Sequence, residues 1–433
     1  MQNSIQKKIL IITYYWPPAG GPGVQRWLKF VKYLPEFGID PIVYIPKNPL
    51  YPILDDDLIG DVATNTKIIK HKIFEPFGIA NFLSGNKSTK LSSGIIPKTN
   101  NQSFGEKIML WIRGNLFIPD ARIFWVKPSV KFLEKYILEN DIKTIITTGP
   151  PHSLHLIGLR LKSKCDVKWI ADFRDPWTTI GYQKQLRITS FVKTKHQKLE
   201  KNVLQSADQI IVTSPSTKKE FRPITSKPIT VITNGFDHEI TADISLDKKF
   251  TIAHIGSFLS ERNPEILWQV LSELILVNIE FQKHFELKLV GKISREILAT
   301  INNFGLTKYV NNLGYISHLE SIQHQNKSQV LLLIEIDSIE TRCIIPGKLF
   351  EYLLAKRPII GIGPKGSDMQ QIIENTNAGF FVDYSQKDEL KSQIMTLFDN
   401  FLNNNLHLKS VNIEQYSRRN LTSKLANLIK SIQ

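Results

Sequence analysis

The sequence predicts an α/β protein built as two doubly wound domains that face each other across a cleft. Three observations carry this. Short apolar runs alternate with segments of helical period, the pattern of parallel strands joined by crossover helices. The alternation lapses once, over the polar and acidic stretch Asp237 to Lys249, and then restarts. The 433 residues also exceed what a single hydrophobic core usually serves. The boundaries follow: a first domain over 1–236, a second over 250–404, and a final segment over 405–433. The last basic helix, about Ser417 to Ile432, has no strand after it and is expected to pack back on the first domain.

In the first domain, Lys8 to Thr13 reads as a buried strand and Tyr14 to Gly23 as a Pro- and Gly-rich loop. Val24, Trp27, Leu28, Val31 and Leu34 then recur at helical spacing, with Gly38 at the end and Ile39 to Ile45 as the next strand. The loop Pro17-Pro18-Ala19-Gly20-Gly21-Pro22-Gly23 lets backbone approach a ligand where strand gives way to helix. It lacks the G-x-G-x-x-G of dinucleotide-binding domains. Residues 84–103 read as a mobile loop. In 104–117, Phe104, Ile108, Trp111, Ile112 and Leu116 share a helix face, with Lys107 and Arg113 among them, which suits an interfacial helix or a core helix equally. Thr144 to Thr148, Val167 to Ala171, Gln209 to Thr213 and Pro228 to Ile232 complete the first sheet.

The second domain opens with the strand Phe250 to Ile255, the loop Gly256 to Arg262 and a capped helix start at Asn263-Pro264. Further strands are expected at Phe285 to Val290, Val310 to Tyr315, Gln329 to Ile336, Pro358 to Gly363 and Gly379 to Val382.

Composition narrows the function classes. Hydrophobic content of 42% and charged content of 22% are those of a globular chain. Cys165 and Cys343 give neither a disulfide framework nor a zinc spacing, which suits a reducing compartment. The apolar block Ile9 to Ile12 is too short for a signal peptide, and no 18-residue apolar run suggests a membrane span. Residues 1–240 hold 34 Lys and Arg against 20 Asp and Glu, whereas residues 241–433 hold 21 against 20. Nearly all of the net charge of +15 therefore sits in the first half, which points that half at an anionic membrane surface or acceptor, solvated surface lysines being the plainer alternative. No nucleic-acid motif accompanies the charge, so nucleic acid is not an expected partner.

The stretch from Pro346 to Pro358 reads as a crossover helix whose start offers no capping side chain. Lys348 and Glu351 lie on one stripe behind Gly347. Free amides, an ammonium and a carboxylate one turn on suit an anion joined to a hydroxyl-rich group, such as a phosphate ester. A surface Lys–Glu pair is the plainer alternative.

With the loops placed, the chain resembles the GT-B glycosyltransferases, specifically glycosyltransferase family 4. The resemblance spans nearly the whole chain and rests on Pro17 to Arg26, on Asp172-Phe173-Arg174-Asp175-Pro176-Trp177 and on Asn234-Gly235-Phe236-Asp237. It also rests on Gly256-Ser257 with Arg262-Asn263-Pro264, and on Pro346 to Pro358. It implies two Rossmann-like domains and retaining transfer of a sugar from a nucleoside diphosphate sugar, with no metal and no cofactor. The second domain would hold the donor and the first the acceptor, a glycan or lipid-linked molecule. By the same resemblance Glu351 binds the nucleotide ribose. Arg262 and Lys348 meet the diphosphate beside Gly347, Leu349, Gly256 and Ser257, and Gly21 and Gly23 admit the donor from the facing domain. His152 stands near the donor sugar and is the catalytic candidate with Asp175, a core or cap histidine being the plainer alternative; Asp172 and Arg174 are candidates for acceptor or cleft contacts, with an internal salt bridge among Asp172, Arg174 and Asp175 as the plainer alternative.

Two positions depart from the family pattern. Cys343 stands where a second glutamate is common, and a thiol cannot hold sugar hydroxyls as a carboxylate can. Ser257 stands where an arginine usually partners the Arg262 position. Three readings follow: a transferase acting on a lipid-linked or cell-envelope glycan, cytoplasmic and peripheral at the inner membrane face; a GT-B nucleotide-sugar epimerase; and a catalytically inert nucleotide-sugar-binding relative.

Overall fold

The computed structural model describes residues 7–76, 104–179, 186–237 and 245–432. The expected mobile loop over 84–103 and the middle of the expected linker lie outside these. The chain divides into two compact units, Met1–Asn234 with Arg418–Gln433, and Gly235–Ser417.

The first unit is a seven-stranded parallel sheet in the order β3-β2-β1-β4-β5-β6-β7. Its strands are β1 (Lys7–Ile12), β2 (Ile39–Pro46), β3 (Lys67–His71), β4 (Thr144–Gly149), β5 (Lys168–Phe173), β6 (Gln209–Val212) and β7 (Ile229–Val231). Its helices are α1 (Pro22–Tyr33), α2 (Phe104–Asn115), α3 (Ile123–Glu139), α4 (Ser153–Lys164), α5 (Ser190–Ser206) and α6 (Pro215–Phe221). Alternate residues of β1 face opposite cores, as the period of two requires: Leu10 and Ile12 meet α3 and α4, whereas Ile9 and Ile11 meet α1. Helices on both faces explain why the central strands are apolar throughout. The C-terminal helix Arg418–Ser431 joins the α1 face through Leu421, Leu425 and Ile429. Each such side chain contributes roughly 1.5–3 kcal/mol on leaving water, before the entropy of ordering is subtracted.

The second unit is a six-stranded parallel sheet, β10-β9-β8-β11-β12-β13. Its strands are β8 (Phe250–Ile255), β9 (Phe285–Val290), β10 (Val310–Gly314), β11 (Val330–Ile334), β12 (Ile359–Ile362) and β13 (Gly379–Val382). The helices that matter below are α7 (Glu265–Val277), α8 (Ile279–His284), α9 (Arg295–Asn303), α10 (His318–Lys327) and α11 (Gly347–Ala355). Connections leave β8 in one direction and β11 in the other, so the carboxyl ends of these neighbours form a topological switch point, where open α/β sheets bind ligands.

The structure corrects the expected helix start at Asn263-Pro264. The residue flanking α7 is Pro264, which makes no side-chain cap. Asn263 instead accepts from Trp268 Nε1 at 2.7 Å and donates to Thr300 at 2.9 Å, tying the loop after β8 to α7 and α9.

Candidate functional site

At the switch point of the second unit, α11 begins behind Pro346 with no side-chain cap, which leaves its first amides at the positive end of a helix dipole. Lys348, in the first turn, reaches back so that its Nζ lies 3.2 Å from His254 Nε2. Gly256 makes room for it: a Cβ there would lie 3.1 Å from Nζ, and its φ of +114° is one that other residues rarely adopt. Burial, reinforced by Arg262, pushes the Lys348 ammonium down to about 7, against the opposing pull of Glu335 and Glu351. Burial and the Lys348 charge hold His254 well below the usual histidine range, so the imidazole is neutral.

Arg262 ends the loop after β8. Its Nε and Nη2 lie 3.3 and 3.2 Å from Oε1 of Glu335, the first residue after β11. Glu335 is fully buried, and its Oε1 also accepts from the Ile336 amide at 2.8 Å. One turn into α11, Glu351 is held from α10: His318 Nε2 lies 3.2 Å from Oε1 and Gln325 donates to Oε2 at 2.9 Å. The cluster joins two cations, an uncapped helix start and an oriented carboxylate. Chemically, it can hold a diphosphate and a diol together.

Of the expected donor residues, the structure gathers Gly256, Arg262, Gly347, Lys348 and Glu351 around this helix start, with Ser257 exposed beside Gly256. Leu349 is the correction. Its side chain is fully buried in the core and its amide donates to Pro346 O at 3.0 Å, so it offers a ligand neither group. His254, Glu335 and Gln325 were missed, because a single polar residue in or just after an apolar run carries no motif.

The first unit places its candidates at the carboxyl ends of β1, β4 and β5. Gly21 precedes α1 at φ +98°, and Gly23 lies so close to Arg174 that a Cβ would overlap its Nη1. Arg174 donates to the carbonyls of Gly149, at 3.4 Å, and Pro150, which ties the β1, β4 and β5 loops together. His152 is buried and stacks on Trp177 with ring centroids 4.8 Å apart. Burial and the neighbouring His155 hold it well below the usual range, and neither ring nitrogen has a hydrogen-bond partner among the described residues. Asp175 is half-buried, and burial raises its carboxyl above the ordinary value while Arg174 opposes.

Asp172 makes no acceptor or cleft contact and takes the plainer alternative, an internal salt bridge, with Arg26 rather than Arg174. It is the penultimate residue of β5 and is fully enclosed. Its carboxylate accepts from Arg26 Nη2 at 2.9 Å, Trp27 Nε1 at 2.8 Å and Thr148 Oγ1 at 2.9 Å, which bolts α1 to the centre of the sheet. With no exposed oxygen, it holds the fold rather than a ligand.

Two doubly wound parallel units in one chain define the class of the molecule: it has the GT-B fold. Residues 97–240 match the family described as Glycosyltransferase Family 4. The chain is similar over its length to a glycosyltransferase from Rickettsia africae, with 13% identity, a TM-score of 0.60 and coverage of 99% of this chain and 98% of that one. It is similar to HepE of Anabaena in complex with UDP-glucose, with 14% identity, a TM-score of 0.58 and coverage of 98% and 99%. It is also similar to a putative UDP-N-acetylglucosamine 2-epimerase from Listeria monocytogenes, with 12% identity, a TM-score of 0.56 and coverage of 98% and 96%. No curated protein sequence matches the chain.

Proposed function

We propose that the chain is a retaining glycosyltransferase that moves a sugar from a nucleoside diphosphate sugar to a lipid-linked or cell-envelope glycan. The observation that carries this is the start of α11, where Lys348 and Arg262 supply cations and Glu351 an oriented carboxylate. Departure of a nucleoside diphosphate develops negative charge, and fixed cations beside that charge are the stabilisation the step needs. In this reading Glu351 takes the ribose hydroxyls, and Lys348 and Arg262 the diphosphate. No metal or cofactor enters the proposal, because the two side-chain cations fill the electrostatic role. Retention follows from attack by the acceptor on the face the diphosphate leaves.

Two features support an acceptor at an anionic membrane surface. The excess positive charge lies in the first 240 residues. Helix α2 buries Leu110 and Gly114 while exposing Ile108 and Trp111, and Leu116 beyond its end is exposed as well. Apolar side chains turned to solvent beside Lys107 suit an interfacial helix better than a core helix. No helix among the described residues is long and apolar enough to cross a membrane.

A nucleotide-sugar epimerase is the second reading, supported by the likeness to the Listeria protein. Incubation with radiolabelled nucleotide sugars and an envelope lipid extract separates the two. Label carried into the lipid or glycan fraction is the expected result. An isomerised free donor with no transfer would replace the proposal by the epimerase, and binding without turnover would leave an inert relative.

A further inference from the structure

The two cations at the start of α11 each rest against a group that solvent does not reach. Lys348 Nζ lies 3.2 Å from His254 Nε2, and Arg262 lies against Glu335 at 3.2–3.3 Å; His254 and Glu335 are both 0% exposed. They stand at the carboxyl ends of β8 and β11, the adjacent strands from which the connections diverge. Arg262 meets Glu335 through Nε and Nη2, the side edge of its fork. Its Nη1 has no hydrogen-bond partner among the described residues, and the side chain is 25% exposed. A carboxylate that faced the whole guanidinium would cancel it. One that holds a single edge fixes the plane and leaves the other edge to a ligand.

We propose that His254 and Glu335 are positioning residues for diphosphate recognition, His254 setting the Lys348 amine and Glu335 the free edge of Arg262 toward one nucleoside diphosphate. The inference rests on the nucleotide reading above and adds to it the two buried groups that aim the cations. It carries a proton linkage. The groups facing Lys348 are His254 from β8, Arg262 from the loop after β8, Glu335 from just after β11 and Glu351 from its own helix. Burial and Arg262 push the amine down to about 7 in the free protein. A diphosphate arriving beside it favours the charged form, so binding above pH 7 takes up a proton.

The test is calorimetric titration of the full chain with UDP, GDP and ADP at pH 8, in buffers of different ionisation enthalpy. The difference in heat between buffers counts the protons taken up. At pH 8 the terminal phosphate of the nucleotide is already ionised, so uptake belongs to the protein. The wild type is expected to take up more than about half a proton with whichever nucleotide binds. His254→Leu is expected to change that count and to weaken binding by about tenfold. Glu335→Ala is expected to lose about tenfold as well, while Glu335→Gln, which keeps the hydrogen-bonding edge, stays within about threefold. Wild-type affinity and proton count in His254→Leu and Glu335→Ala would make both residues structural only and overturn the inference. Where these variants fail to fold, His254→Gln and Lys348→Met carry the test: a proton count unchanged in both overturns it. If no nucleoside diphosphate binds the wild type, the nucleotide reading itself fails and takes this inference with it.

Discussion

Arg262 lies side-on against Glu335, with both its Nε and its Nη2 within 3.3 Å of a carboxylate that solvent does not reach. That pairing changes how the departure at Ser257 reads. A second arginine is absent from the loop after β8, and the arginine that remains is not a mobile surface cation. It is fixed in plane by β11, and Lys348 is fixed in turn by β8. Rigid placement offsets part of what a missing cation would cost, because a preorganised donor loses less entropy on meeting its ligand.

Glu351 is the most direct point at which to test the nucleotide site. His318 and Gln325 orient its carboxylate, so removing it leaves the cation cluster intact and deletes the proposed ribose contact. A charged hydrogen bond is worth roughly 1.5–3 kcal/mol, so Glu351→Ala should weaken nucleoside diphosphate binding by about tenfold or more. Calorimetry gives the number directly. Unchanged affinity would remove Glu351 from the site.

Much of the architecture was legible because parallel strands covered on both faces are continuous apolar runs. The central strands β1, β4, β8 and β11 are of this kind, and sequence placed them to within one or two residues. The edge strand β3, Lys67–His71, was not seen: its lysines and partial exposure give neither a buried run nor clean alternation. The two-residue extension of β5 through Asp172 and Phe173 was also missed, and with it the role of Asp172. A strand boundary placed before Asp172 turned a buried bolt into a candidate ligand contact. The start of α11 was legible for the opposite reason, since the absence of a capping residue is visible in the sequence. Its supports were not. His254, Glu335 and Gln325 come from three separate elements, and only the sheet order brings them to the same helix.

Membrane association is open to a simple measurement. Trp111 and Ile108 are 44% and 42% exposed on α2, within the half of the chain that carries the charge excess. Vesicles containing anionic lipid should therefore co-sediment with the protein, and neutral vesicles should do so less. Binding should weaken as salt rises from low to physiological concentration, where the screening length falls to about 8 Å. Trp111→Glu should reduce binding to anionic vesicles without changing nucleotide affinity. Equal binding to neutral and anionic vesicles would count against the basic surface.

The Arg26–Asp172 bolt predicts a stability loss rather than a binding defect. Removing one partner of a buried pair leaves an unpaired charge, and Asp172→Ala should cost about 3–5 kcal/mol in chemical denaturation. Its pH dependence has a definite sign. Although burial opposes ionisation, Arg26 and the hydrogen bonds hold the carboxyl below its ordinary value of 3.8 in the folded state. The pair's contribution is therefore present above that value and is lost as pH falls through the folded-state value. Acid unfolding of the wild type should consequently be steeper than that of Asp172→Asn, and equal slopes would show that the pair carries no proton linkage.

Glu200 of α5 should behave in the opposite sense. Its carboxylate accepts from the amides of Trp177 and Thr178 at 3.2 Å and from Thr178 Oγ1 at 2.6 Å, holding the loop after β5. Those bonds favour the charged form, but burial, with a smaller push from Glu220, raises the carboxyl from 4.5 to about 7. A raised carboxyl binds more protons folded than unfolded, so stability is greatest below about pH 4.5 on this account and declines as pH rises through 7. Glu200→Gln keeps the acceptor for both amides and removes the charge. The variant should therefore gain on the wild type between pH 5 and pH 8, by up to about 3 kcal/mol at 1.36 kcal/mol for each pKa unit. Denaturation curves at the two pH values measure the difference. A constant offset between variant and wild type would show that Glu200 does not titrate in this range.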